Sequence, residues 1–281
     1  SMKGGDATGP GPGPTPSGAG GNGGHLNVTS SDSITLNAPV SAATGQNFKN
    51  GTNGGNGGAV NLTANNTVTL NNQIEVSSNT GKRRSNNGGS ISVTSKKTGG
   101  TAIAVNSSAQ LLALLNSTSS GGGGSIKFVS SGGAINVDTA TMKADRGTID
   151  VRNTGNSGLI ALNNATLAAS TIKVGALGNN GTLNIGGGTI SADQLIHLYA
   201  GGSNGTVNFT NNVTLSGNSV KTIAGDTVTI FNGKIVTING PTANVFTNNP
   251  NYTGSGGNGS TTGKFGGKGA TTQLLAAAPG F

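Results

Sequence analysis

Residues 57–81 read GGAVNLTANNTVTLNNQIEVSSNTG, and residues 23–45 read GGHLNVTSSDSITLNAPVSAATG. The same line is written twice, in Gly, Asn, Thr and small aliphatics, with few side chains of catalytic type. Self-similarity at a fixed period is the mark of stacked repeats, so the first question is how far the rhythm extends. It runs nearly to the end of the chain. A first aliphatic series passes through Leu26, Val60, Ile91, Ile126, Ile149, Ile172, Ile196 and Val220, and its last five members recur every 23 or 24 residues. A second series comprises Ile34, Val68, Ile103, Ile135, Ile160, Leu183, Val207 and Val228. A third, less regular, comprises Val40, Ile74, Leu112, Met142, Leu167, Ile190, Val213 and Ile235.

Within each run the pattern alternates, as in Ile126-Lys127-Phe128 and Ile149-Asp150-Val151. Alternation of this kind puts successive side chains on opposite faces of a strand. One coil of three strands cannot bury its apolar face alone; stacking coils closes an aliphatic column and pairs each strand with its counterpart above. The expected fold is all-β: a right-handed parallel β-helix, or solenoid, of about eight three-strand turns, with three sheets around the column. The hand follows from the bias of parallel crossovers. At roughly 4.8 Å per rung such a rod is about 40 Å long.

Composition agrees with this reading. Glycine supplies 52 of 281 residues, charged residues 9% and aromatic residues 3%, too few large side chains for an ordinary globular core. Recurrent aliphatic runs argue against a disordered linker. The Pro/Gly-rich residues 1–22 read as linker, 23–240 as the β-helix, and 241–281, where the rhythm fades, as a cap or tail. The terminal LLAAAPGF is expected to cover an open end of the rod. Gly and Asn between the runs suit corners that need positive φ.

Three segments break the period at one corner: TGQNFKNGTNGGNGG (44–58), SSNTGKRRSNNGG (77–89) and NSTSSGGGGS (116–125). They are expected to project side by side, with Phe48, Lys49, Lys82, Arg83 and Arg84 as candidate ligand contacts. A second candidate set comes from the strand register. Between its inward aliphatics the first strand presents Lys127, Asp150, Lys173, His197 and Lys221, one above another on an outer face. Opposite charges on adjacent rungs attract, and the excess of basic groups suits an anionic polysaccharide. On the second strand Asn136, Asn184 and Asn208 are expected to form a partial amide ladder.

The segment TISADQLIHLYAGGSNGTVNFTNNVTLSGNSVKTIAGDTVTIFNGKIVTING (189–240) resembles secreted bacterial β-helix proteins of the filamentous-haemagglutinin-like kind. It is also similar to repeat regions of surface proteins that carry FecR-type domains. The likeness is best over residues 123–265. It implies an extracellular or bacterial cell-surface location and supplies no catalytic residues to carry over.

Several chemistries are set aside. There is no Cys, so neither disulfide nor thiolate metal site is available. GGNGGHLNV and GGNGGAVNL follow the calcium-binding nonapeptide, except that His25 and Ala59 stand where the ligating Asp is needed. His25 and His197 lie many coils apart, which leaves no two-histidine metal site. No cofactor is expected. The net charge of +8 comes without the aromatic stacking platform of a nucleic-acid binder, so nucleic acid is not the expected partner. No apolar run reaches the length of a membrane span.

The expected function is therefore that of a non-enzymatic, secreted or surface-displayed, adhesin-like solenoid. It presents binding groups to anionic polysaccharide or another cell-surface component, or assembles end to end with further copies. The alternative is a polysaccharide lyase or glycoside hydrolase. The densest ionisable cluster, DTATMKADRGTIDVR (138–152), places Lys143, Asp145, Arg146 and Asp150 near one corner, and paired carboxylates can hydrolyse a glycosidic bond.

Overall fold

The computed structural model describes residues 21–44, 55–78, 87–115, 121–231, 234–240, 242–247 and 271–275. Every regular element among them is a strand. The strands form one fourteen-stranded and one eight-stranded sheet, and the neighbours within both run parallel. Parallel order with strands recurring in sequence order is that of a parallel β-solenoid.

The first aliphatic series is a single column. Leu26 pairs with Val60, Val60 with Ile91, Ile91 with Ile126, Ile126 with Ile149, Ile149 with Ile172, Ile172 with Ile196, and Ile196 with Val220. From Ile91 to Ile196 these side chains are fully buried. The second series is equally regular, from Ile34 on Val68 to Val207 on Val228. Both meet in one core, which at the first coil ends in partly buried Leu26, Val28, Leu36 and Val40. Among the described residues those four are packed from one side.

The third series departs from expectation at three places. Ile74 and Met142 align with Leu111, not Leu112. Ile190 aligns with Leu215, and Leu215 with Ile238, in place of Val213 and Ile235. The corner before this strand differs in length between coils, and each added residue slides the reading frame. A slip of one reverses the face and a slip of two preserves it. Val213 accordingly stays buried, while Ile235 sits in the corner, 59% exposed, its N–H donating to Asn212 Oδ1 at 2.9 Å.

The expected third sheet is fused with the first. In the later coils the third strand runs on into the first strand of the next coil, giving continuous strands Thr141–Asn153, Ala165–Ala176, Gly188–Ala200 and Val213–Ala224. Register shifts after Ala144, Ala169 and Ala192 let them round the corner. In the earlier coils the corresponding strands are short and separate, Val40–Ser41, Ile74–Glu75 and Gln110–Leu112. The ladder also continues beyond residue 240: Thr242–Thr247 pairs with the strand ending at Ala224, and Thr271–Leu275 pairs with Thr242–Thr247. The last residues of LLAAAPGF lie outside the described residues.

Corners are built by two devices. Between the second and third strands, Thr139, Asn164 and Gly187 stack with φ of 49°, 49° and 108°, the left-handed region in which Gly and Asn are least penalised. Before the first strand the requirement is closeness. A Cβ on Gly89 would lie 2.0 Å from the Val76 carbonyl oxygen, and one on Gly124 would lie 1.9 Å from that of Ala113. A third corner buries polar groups that satisfy one another. Asn153 donates from Nδ2 to the carbonyls of Gly133 (2.9 Å) and Leu159 (3.2 Å) and accepts at Oδ1 from Gly155 N–H.

Candidate binding face

Inward packing of Ile126, Ile149, Ile172, Ile196 and Val220 forces the residue after each one outward. The pairings place Lys127, Asp150, Lys173, His197 and Lys221 on successive rungs, as the alternation predicts. In the earlier coils the same column reads Asn27, Asn61 and Ser92, so it becomes charged only from Lys127 onward.

Charge pairing within the column differs from expectation. Asp150 does not bridge the lysines above and below it. It accepts from Arg152 Nε of its own strand at 2.6 Å, two residues away and therefore on the same face. Among the described residues Lys127, Lys173 and Lys221 carry no ion pair. For His197, burial first, then Lys221 and Lys173, lower the pKa from 6.5 to about 4, so at pH 7 it is a neutral member of the stripe. Its ring meets Tyr199 edge-on, with centroids 6.3 Å apart.

The neighbouring outward column brings together residues that the sequence reading passed over. Arg152 pairs with Gly175, and Gly175 with Tyr199. Gly175 contributes no side chain and is itself buried, with Arg152 and Tyr199 on the rungs to either side. Both follow by two positions from members of the stripe, and the period-two rule applied once more would have found them.

Phe48, Lys49, Lys82, Arg83 and Arg84 lie outside the described residues. The described flanks of their segments do stack. Before them, Thr44 N–H donates to Ser77 O and Ser78 N–H to Leu114 O. After them, Asn56 N–H donates to Asn22 Oδ1, Asn87 N–H to Asn56 Oδ1, and Gly122 N–H to Asn87 Oδ1, at 2.9, 2.9 and 2.8 Å.

The cluster considered for catalysis is divided. Asp145 and Arg146 line an open pocket of about 320 Å³ together with Leu115, Ala168, Ala169, Ser191 and Asp193. Lys143 and Asp150 are not part of its lining. Asp193 was invisible as a partner because it is 48 residues from Asp145 in sequence, yet it occupies the same corner two rungs on: Ala144 pairs with Ala169 and Ala169 with Ala192. Arg146 holds φ at 53° there. Among the described residues no group of three or more His, Asp or Glu is placed to hold a metal ion, and no helix is long and apolar enough to cross a membrane.

The amide ladder on the second strand is partial. Asn208 Nδ2 donates to Asn184 Oδ1 at 2.9 Å. Asn136 is separated from Asn184 by the rung of Ala161 and donates to Thr101 Oγ1 instead.

No protein-family model, curated protein or solved structure matches this chain.

Proposed function

We propose that the chain is a right-handed solenoid of about eight coils that serves as a non-enzymatic, secreted or surface-displayed binding scaffold. Its outer first-strand face takes up anionic polysaccharide. The observation that carries this reading is the set of three lysines, Lys127, Lys173 and Lys221, held in one column without ion pairs. Cationic side chains aligned on a stiff sheet attract a polyanion and meet it in fixed positions. The resemblance of residues 189–240 to filamentous-haemagglutinin-like proteins points to the same setting. Lys49, Lys82, Arg83 and Arg84 add basic groups in the sequence segments whose described flanks stack.

The test is binding to immobilised acidic polysaccharides at low and physiological salt. Binding that weakens with salt and is lost in Lys127/Lys173/Lys221→Ala supports the reading, and Lys82/Arg83/Arg84→Ala measures the share of the loops. Equal binding to a neutral polysaccharide, or none to any acidic one, ends it.

A second reading, glycoside hydrolysis, is favoured by one observation: Asp145 and Asp193 line the same open pocket. Release of sugar from one of these polymers, abolished separately by Asp145→Asn and Asp193→Asn, would replace the scaffold reading with the enzymatic one.

A further inference from the structure

The basic groups on the outer column alternate with groups that carry no free positive charge. Lys127, Lys173 and Lys221 occupy every second rung. Between the first two stands Asp150, a carboxylate already engaged by Arg152. Between the second two stands His197, neutral at pH 7. Rungs of a sheet lie about 4.8 Å apart, so the lysines repeat at about 10 Å along the stack. That is close to the length of one disaccharide in an extended, equatorially linked sugar chain.

We propose that the ligand is an acidic polysaccharide carrying one acid group per disaccharide, laid along the solenoid axis with successive acid groups at Lys127, Lys173 and Lys221. The inference rests on the polysaccharide reading above and narrows it to a substrate class. A chain with this repeat brings a neutral sugar to the rungs of Asp150 and His197. A chain with an acid on every sugar brings a carboxylate opposite Asp150, where like charges repel, and sets another beside His197, which offers no charge to meet it. Selectivity therefore comes from the rejected polymer as much as from the preferred one. The half-buried rings of His197 and Tyr199, which meet edge-on, offer an apolar edge to a sugar face at their rung.

Three lysines on alternate rungs also set a length. The span from Lys127 to Lys221 covers four rungs, about 19 Å, and accommodates acids on the first, third and fifth sugars of a pentasaccharide. A trisaccharide of the same polymer reaches two lysines. Engagement of the third contact is intramolecular once the first two are made, so affinity rises steeply between these lengths and little beyond them.

The experiment uses the full chain at pH 7 and low salt with two probes: alternating glucuronate and N-acetylglucosamine, which has one carboxylate per disaccharide, and polygalacturonate, which has one on every sugar. Oligomers of three, five and seven sugars of each are titrated by calorimetry. The expected result is about tenfold tighter binding of the alternating pentasaccharide than of the polygalacturonate pentamer, with the trisaccharide weaker than the pentasaccharide by a similar factor. Asp150→Asn should leave the alternating probe nearly unchanged and bring the polygalacturonate probe closer to it. Lys221→Ala, at an end contact, should erase the advantage of five sugars over three, because both lengths then reach only Lys127 and Lys173. Circular dichroism confirms that each variant keeps its strand signal.

Equal or tighter binding of polygalacturonate, or discrimination that Asp150→Asn does not alter, overturns the register inference while the polyanion reading stands. Equal binding of poly-deoxythymidine shows unspecific charge attraction and also overturns it. Failure of the wild-type chain to bind either sugar polymer, at any length, removes the polysaccharide reading itself.

Discussion

The coils up to Leu115 and those from Ser125 to Ala224 share one core and differ at one corner. In the later coils the chain passes through that corner as paired strand, and a single strand of twelve or thirteen residues serves two sides. In the earlier coils the described strands on that side are separate and only two or three residues long. Beside that corner asparagine side chains accept from the next coil in the ladder Asn22–Asn56–Asn87, and a second ladder, Asn37–Asn71–Asn106, follows the second strand at another corner. The outer column divides at the same boundary, from Asn27, Asn61 and Ser92 to Lys127 and its successors. Continuous strand pairing and charge thus coincide in the later half, and short separate strands occupy the earlier one.

The largest contrast is expected in the core. Ile149 is fully buried between Ile126 and Ile172, so Ile149→Ala should cost about 2–5 kcal/mol, the lost transfer energy plus that of the cavity. Leu26, in the same column but partly buried at the first coil, should cost about 1 kcal/mol as Leu26→Ala, since it has less area to lose. Chemical denaturation of the two variants measures the difference. Equal losses would mean that the first coil is covered as fully as the middle.

Acid should separate the halves next. The folded pKa of His197, about 4, lies below the ordinary 6.5, so as pH falls through this window the unfolded chain takes up a proton that the folded chain resists. Stability present above pH 6.5 is lost progressively down to about 4 and levels off below it. The magnitude is on the order of 2 kcal/mol after allowance for the partial solvent access of the ring. The difference between wild type and His197→Gln isolates this contribution from that of the carboxylates, and hydrogen exchange should locate it in Gly188–Ala200. A pH dependence identical in the two proteins would remove the assigned cause.

How much of this was legible beforehand follows from what each signal depends on. The columns of Ile126 and Ile135 were readable because inward aliphatics on strands of fixed period determine face and register together. The third column was misplaced at Leu112, Val213 and Ile235 because its frame depends on corner length, which aliphatic spacing does not record. Fusion of two sheets was hidden for the same reason: Ala144, Ala169 and Ala192 are small enough to look like loop, and only backbone pairing shows that the strand continues. In the candidate site, the order Lys127, Asp150, Lys173, His197, Lys221 was legible from alternation. The pairing of Asp150 with Arg152 and the neutrality of His197 were not, since they depend on side-chain reach and on burial. Asp193 could be joined to Asp145 only through a register carried by two intervening ladders.

The smallest expected effect tests what the asparagine ladders contribute beside the short strands of the earlier coils. Asn56 accepts Asn87 N–H at its Oδ1 and donates its own N–H to Asn22 Oδ1, just before the first strand of its coil. Asn56→Ala removes the acceptor, and because the site is exposed water can take its place, so the cost should be about 0.5–1 kcal/mol. Asn204 donates from its side-chain Nδ2 to Asn180 Oδ1 at 2.9 Å, and its coil is already held by the long strands on either side. Asn204→Ala should therefore cost less than about 0.5 kcal/mol. Amide exchange gives the sharper reading: Asn87 should lose protection in Asn56→Ala without change in the strands after Ser125. If both substitutions cost the same and Asn87 exchanges no faster, the ladder is ornament to a stack that backbone pairing alone holds in register, and the two halves differ in outline but not in what keeps them together.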